Sequence, residues 1–262
     1  MNGKKGNKII TWILFALFLA AVMVSVVLMM KKLQGESKSD GEAVQPTETE
    51  TVQKGGVILC FGDSNTWGYD PESGGGRYAE EELWTSILSS MLGENHTVIN
   101  EGLNGRTTAF GEGADGWRNG LTALPEVLDE HMPVDVIIIM LGTNDTLTDP
   151  SKSADDIAAG METLIFKAAE ITMEKQGFVP EIIIAAPAAI KDVSGTYLDI
   201  NGNSVKVSEE LSDSYKALAD RYGFKFVDAT GITDVSDFDH VHLTKEGHRK
   251  VAELMYKAVT AE

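Results

Sequence analysis

The side chains that could do chemistry fall in four short stretches: Gly62-Asp63-Ser64-Asn65, Asn100 to Thr107 (NEGLNGRT), Gly142-Thr143-Asn144-Asp145, and Asp237 to His242 (DFDHVH). A serine hydroxyl is a weak nucleophile until a positioned base removes its proton. His242 can be that base, its second ring nitrogen oriented by a carboxylate that stabilises the imidazolium. Asp239 stands three residues before it, within reach of one loop. Attack on a carbonyl also needs preorganised donors for the oxyanion. The backbone N–H groups of Ser64 and Gly105 and the side-chain amide of Asn144 are the candidates. Glycine at 105 would let the backbone approach a substrate closely.

Each stretch has a plainer reading. Asp, Ser, Asn and Gly are ordinary turn residues, so Gly62 to Asn65 alone is as readily a polar turn as a nucleophile. Asp63 is expected to brace that turn, and Asp237 is the alternative to Asp239 as orienting acid. His240 is expected on the opposite side of an extended segment from His242. Trp67 and Tyr69 could line a substrate pocket or pack in the core. Arg106 could touch a substrate oxygen or serve a structural ion pair. His96, His131 and His248 read as surface or packing residues.

The elements must bring these stretches together. Gly56 to Phe61 is a short apolar run read as a first strand, and Val134 to Leu141 (VDVIIIML) is apolar on both faces, as a central parallel strand should be. Strands are also expected at His96–Asn100, Glu181–Ala186 and Phe224–Asp228. Helical patterns lie between them: Glu80–Leu92, Trp117–His131 interrupted near Pro125, a helix capped by Ser153, Val207–Tyr222, and Lys245–Ala261. Five strands alternating with helices predict a three-layer α/β/α sandwich with a five-stranded, mainly parallel sheet. All four stretches then lie at the carboxyl edge of the sheet, where ligands bind in open α/β folds.

Tyr197 to Val207 (YLDINGNSVKV) departs from the alternation and predicts a β-hairpin about Asn-Gly. Asp199, Asn201, Asn203 and Glu210 half-match a calcium loop. Ser204 replaces the glycine of the sharp turn and no helix precedes the loop, so calcium is not expected. Gly111 to Gly116 fits a dinucleotide fingerprint by letter, but it follows a loop and not the first strand, which argues against a Rossmann-type oxidoreductase.

The chain carries a formal net charge of −18. Residues 1–54 hold seven of the 22 bases and five of the 40 acids, so the remainder stands at −20. Such a surface repels a phosphate backbone and excludes nucleic acid as a partner. Cys60 is the only cysteine, so no intramolecular disulfide forms. Ile9 to Met30 are 22 consecutive uncharged residues, enough at about 1.5 Å each to cross a bilayer core. Lysines 4, 5 and 8 precede the segment and Lys31 and Lys32 follow it, without the small-x-small cleavage site of a signal peptide. The expected layout is a short segment 1–8, an uncleaved transmembrane anchor 9–30, a flexible polar linker 31–54 and a catalytic domain 55–262. The basic flanks place that domain outside the cytoplasm.

These four blocks resemble the SGNH hydrolases, or GDSL-type esterases, over roughly residues 56 to 260. FGDSNTWG matches the nucleophile block with Ser64, NEGLNGRTT the second with Gly105, GTND the third with Asn144, and DHVH the DxxH block with Asp239 and His242. The resemblance implies the flavodoxin-like SGNH fold and ester hydrolysis through an acyl-enzyme, with no metal or cofactor. Asn65 stands where plain GDSL has leucine. Asn65 to Pro71 together with EGLNGRTT is most similar to the arylesterase/acyltransferase branch, which implies small acyl groups. For a domain outside the cytoplasm, an acetyl ester on a carbohydrate is the substrate expected, though no residue specifies it. Members of that branch often oligomerise, so a homo-oligomer is a further expectation. A lysophospholipase or thioesterase acting on lipid acyl esters, and a silent carbohydrate-binding module, are the alternatives.

Overall fold

The computed structural model describes residues 55–111, 116–149, 151–191 and 203–261. The expected anchor at 9–30 and linker at 31–54 lie outside these residues. Among the described residues no helix is long and apolar enough to cross a membrane.

In chain order the elements begin with strand β1 (Val57–Gly62), the one-turn helix α1 (Ser64–Trp67), strands β2 (Tyr69–Asp70) and β3 (Gly76–Arg77), helix α2 (Trp84–Leu92) and strand β4 (Thr97–Gly102). Helix α3 (Gly120–His131), strand β5 (Val136–Met140), helix α4 (Thr143–Thr148), helix α5 (Ala154–Gln176) and strand β6 (Glu181–Ala186) follow. Helix α6 (Ser204–Tyr222), strand β7 (Lys225–Asp228) and helix α7 (Lys245–Thr260) complete it. The main sheet runs β4-β1-β5-β6-β7, and every pairing in it is parallel. The small antiparallel pair β2–β3 was not foreseen, because two-residue arms carry no readable alternation.

Strand parity decides which side chain meets which layer. Leu59, Phe61, Ile137, Ile139, Ile182 and Ile184 pack under α3, α5 and α6. Ile58, Cys60, Ile138, Met140, Ile183 and Ala185 pack against Trp84 and Leu88 of α2 and Val251, Ala252 and Met255 of α7. A central-strand isoleucine such as Ile137, fully buried, contributes roughly 2 kcal/mol. Cys60 is buried as expected, and burial pushes its thiol up, away from reactivity. The three-layer sandwich with a five-stranded parallel sheet is therefore as read from the pattern.

Several boundaries differ. The helix expected from Glu80 is a 3₁₀ turn, Glu80–Glu82, then an extended Leu83, then α2. Leu83 turns inward and is fully buried against Gly68, where a Cβ would meet it at 2.1 Å. Pro125 does not interrupt α3, although its ring supplies no N–H to the ladder. Burial of Leu124 and Leu128 on the sheet holds the helix together across it. Asn119 caps α3 by accepting from the Thr122 N–H at 3.2 Å. Ser153 caps α5 as expected, in a reciprocal box with Asp156.

The hairpin expectation fails in its second arm. Ser204 to Val207 form the first turn of α6, with the Ser204 hydroxyl bonded to the Thr146 carbonyl at 3.0 Å and Val207 in the core. Burial of these two residues overrides the local β signal. The first arm lies outside the described residues, as do Asp199 and Asn201. Asn203 precedes the helix, and Glu210 sits on it facing Lys206 at 3.5 Å, so a twelve-residue calcium loop ending at Glu210 is not formed.

Candidate active site

The chain leaves β1 at Gly62 and turns sharply through Asp63 into α1. Asp63 is fully buried and holds the turn by accepting the Asn65 N–H on its side chain at 2.9 Å and the Trp67 N–H on its carbonyl at 2.9 Å. It braces the turn, as expected. This puts Ser64 at the first position of α1, 5% exposed, at the carboxyl edge of the sheet. From the far end of the sequence, the loop between β7 and α7 brings His242 to it. The Ser64 hydroxyl lies 2.8 Å from His242 Nε2, and His242 Nδ1 lies 2.5 Å from Asp239 Oδ2.

Asp239 is fully buried, and its Oδ1 accepts the N–H groups of Val241 and His242, both at 3.1 Å. Burial opposes its charge. The hydrogen bond and charge of His242 and the two backbone donors outweigh that and hold the carboxyl below its usual range. Asp239 is thus an ionised acceptor that keeps the proton of His242 on Nδ1 and leaves Nε2 free to receive one. Asp237 is not in this position: its side chain is almost fully exposed, 3.6 Å from Lys191. His240 does not join the chain either. Its backbone is left-handed (φ 67°) and its ring engages the Asp237 carbonyl at 3.1 Å.

The second and third stretches meet beside Ser64. The Leu103 N–H bonds the Gly62 carbonyl at 3.1 Å, so the loop after β4 starts at the foot of the nucleophile turn. Gly105 has φ 82°, a conformation that L side chains rarely adopt. The N–H groups of Ser64 and Gly105 make no hydrogen bond within the described residues. Asn144, partly exposed on α4, donates from Nδ2 to the Arg106 carbonyl at 3.1 Å and more weakly to Asp63 Oδ2 at 3.4 Å. Its neighbour Asp145 grips the same loop from inside, accepting the Thr108 N–H at 3.0 Å and the Thr108 hydroxyl at 2.7 Å. Burial raises the carboxyl of Asp145 to about 7 and that of Asp63 to about 6.

Of the two roles open to Arg106, the structural one is what its surroundings show, with the residue 3% exposed. Its guanidinium bonds the carbonyls of Gly62, at 3.0 Å, and Glu101, and stacks 4.1 Å over Phe61. It ties the ends of β1 and β4 beneath the site, and burial lowers it to about 10. His248 is a packing residue, fully buried, its Nδ1 accepting the Trp84 N–H at 3.3 Å. His131 pairs with Glu101 at 2.7 Å. The ring of Tyr69 lies 4.4 Å from that of His242, so it walls the histidine side of the site. Trp67 sits behind it at 6.5 Å, with the Arg77 guanidinium 5.8 Å over its ring.

A buried carboxylate, a histidine, a serine and two unengaged backbone donors at one strand edge can activate a hydroxyl toward a carbonyl. Comparison with known proteins agrees with that chemistry. Residues 60–250 match the profile of the GDSL-like lipase/acylhydrolase family. The chain belongs to this family. It is therefore an ester hydrolase of the SGNH type, as its four blocks resemble. An arylesterase of Vibrio mimicus is 38% identical over 93 residues, which cover 34% of this chain and 38% of that protein. The match thus spans well under half of that relative's length. Among solved structures, the aryl esterase of M. smegmatis is 31% identical with a TM-score of 0.72, covering 78% of this chain and 98% of that one. A carbohydrate acetylesterase from Sinorhizobium meliloti is 33% identical with the same TM-score of 0.72, covering 78% of this chain and 97% of that one.

Two contributors escaped the sequence reading. Tyr69 reads from the sequence as a pocket or packing residue, and nothing local signals its place on His242. Asn65 reads as a departure from leucine, and its partners across the fold carry no local signal.

Proposed function

We propose that this chain is a membrane-anchored serine esterase that hydrolyses, or transfers, small acyl groups. The observation that carries the proposal is the unbroken line of hydrogen bonds from Asp239 through His242 to Ser64. Ser64 Oγ attacks the ester carbonyl as its proton passes to His242 Nε2, and Asp239 holds the imidazolium that results. The oxyanion is received by the N–H groups of Ser64 and Gly105 and by the Asn144 amide, which gives up its long contact to Asp63 to do so. Collapse expels the alcohol with the proton of His242 and leaves Ser64 acylated. Water, or an acceptor alcohol, then repeats the sequence in reverse and frees the serine. No step calls for a metal or cofactor.

A small acyl group is favoured by the pattern of Asn65 to Pro71, and acetylated carbohydrate is the substrate class proposed for a domain outside the cytoplasm. The carbohydrate acetylesterase among the structural relatives adds to it. The apolar segment 9–30 supports a single-pass anchor with the catalytic domain outside the cytoplasm. The homo-oligomer remains part of the proposal through the branch resemblance alone. The test is a panel of p-nitrophenyl esters from acetate to laurate, with acetylated sugars and alcohol acceptors alongside. The proposal expects kcat/KM to be highest for acetate and to fall with chain length. A steep rise with chain length would identify a lipid-directed lysophospholipase or thioesterase instead.

A further inference from the structure

We infer that Asn65 is the positioning residue that sets His242 against Ser64. Asn65 follows the nucleophile directly, is 2% exposed, and stands where the plain GDSL pattern has leucine. Its side chain reaches the histidine loop, 178 residues further along the chain. There Oδ1 accepts the Leu243 N–H at 2.9 Å, and Nδ2 faces the Val241 carbonyl at 3.5 Å. These two residues flank His242 on either side. One amide therefore grips the backbone on both sides of the base, while its own N–H is fixed by Asp63 at 2.9 Å. The serine and the histidine are referenced to each other through a single rigid side chain.

The other contacts close to His242 do not hold its backbone to the nucleophile turn. Asp239 bonds the N–H groups of Val241 and His242, and the Ser236 N–H bonds the His242 carbonyl at 2.7 Å, all within the loop itself. The Lys191 N–H bonds the His240 carbonyl at 3.0 Å from the segment after β6, and Tyr69 meets the His242 ring and not its backbone. Leu243 is 1% exposed, so its N–H has no solvent to turn to if Asn65 is lost. A leucine at 65 fills similar space but offers neither acceptor nor donor, and the loop is released by the tenths of an ångström that govern proton transfer.

The inference rests on the triad reading, and the experiment separates the two. Asn65→Leu and Ser64→Ala are prepared in the full chain beside the unaltered protein. Folding is checked by circular dichroism, and active sites are titrated with a fluorophosphonate so that rates refer to competent molecules. Asn65→Leu is expected to lower kcat for p-nitrophenyl acetate, and the rate of Ser64 phosphonylation with it, by roughly 10- to 100-fold, with KM within about twofold. A merely structural role would lower the titratable fraction and leave kcat per site unchanged, and that result overturns the inference. So does a folded Asn65→Leu enzyme with undiminished kcat. If Asn65→Leu does not fold, Asn65→Asp decides. Its protonated form reproduces both bonds, and its ionised form, set against the Val241 carbonyl, keeps only the acceptor. The ratio of variant to unaltered kcat/KM should then fall as pH rises, and a flat ratio overturns the inference. Turnover by Ser64→Ala would instead bring down the triad reading itself.

Discussion

Replacing Asp239 with asparagine changes one proton's place and little else. The carboxylate offers Oδ2 to His242 Nδ1 at 2.5 Å and Oδ1 to the N–H groups of Val241 and His242 at 3.1 Å. Asparagine has one acceptor and one donor at the same two points. If its amide nitrogen faced the two backbone N–H groups, both would be orphaned in a buried site, at about 1–3 kcal/mol each. The carbonyl therefore stays on the backbone and the amide nitrogen turns to His242. A donor there forces the imidazole proton onto Nε2, which then presents a donor to the Ser64 hydroxyl in place of a base. The expected loss in kcat is about 10³- to 10⁴-fold, the scale of a wrong-tautomer triad, or roughly 4–5.5 kcal/mol of transition-state stabilisation. KM should hold within about twofold, because no substrate contact is removed. The assay is initial-rate hydrolysis of p-nitrophenyl acetate near pH 7.5, with Asp237→Asn as the exposed control that leaves the rate unchanged. A loss of less than about tenfold in Asp239→Asn would refute the tautomer argument.

Gly105→Ala must hold alanine at a φ of 82°, for about 1–2 kcal/mol, while the Cβ meets Arg118 at 3.2 Å and that flexible side chain moves aside. It should lower kcat by roughly 10- to 100-fold with KM nearly constant, and an unchanged kcat would remove Gly105 from the oxyanion site. Stability should fall from pH 5 to pH 8, read as the melting temperature at each pH. Asp63 and Asp145, raised by burial to about 6 and about 7, keep protons in the folded state that the unfolded chain has released, so each loses stability as pH rises toward those values. His248, lowered by burial to about 4, has the opposite sign and regains stability as pH rises toward 6.5. Two losses against one gain leave a net decline of about 2 kcal/mol over that interval, and a melting temperature that climbs to pH 8 would contradict it.

The sheet and its order of elements were legible because burial on two faces writes itself into strands such as Val136 to Met140 without help from distant residues. The placement of Ser64, Asn144, Asp239 and His242 on one edge follows from parallel strands alone, once each motif is seen to end a strand. What escaped was set by contacts with no local signature. Leu83 breaks a helix because Gly68 leaves it a space. Ser204 extends another because its hydroxyl finds Thr146. Arg106 reads equally as a substrate contact or a structural residue until Gly62, Glu101 and Phe61 are seen to enclose it. Asn65 looked like a turn residue because its partners stand 176 and 178 positions away.

The central claim is that Ser64, activated by His242, is the nucleophile. Turnover of p-nitrophenyl acetate by Ser64→Ala tests it most directly. The variant should fold as the unaltered protein does and lose at least about 10³-fold in kcat, keeping only what the oxyanion donors and binding supply. Full turnover by Ser64→Ala would contradict the account.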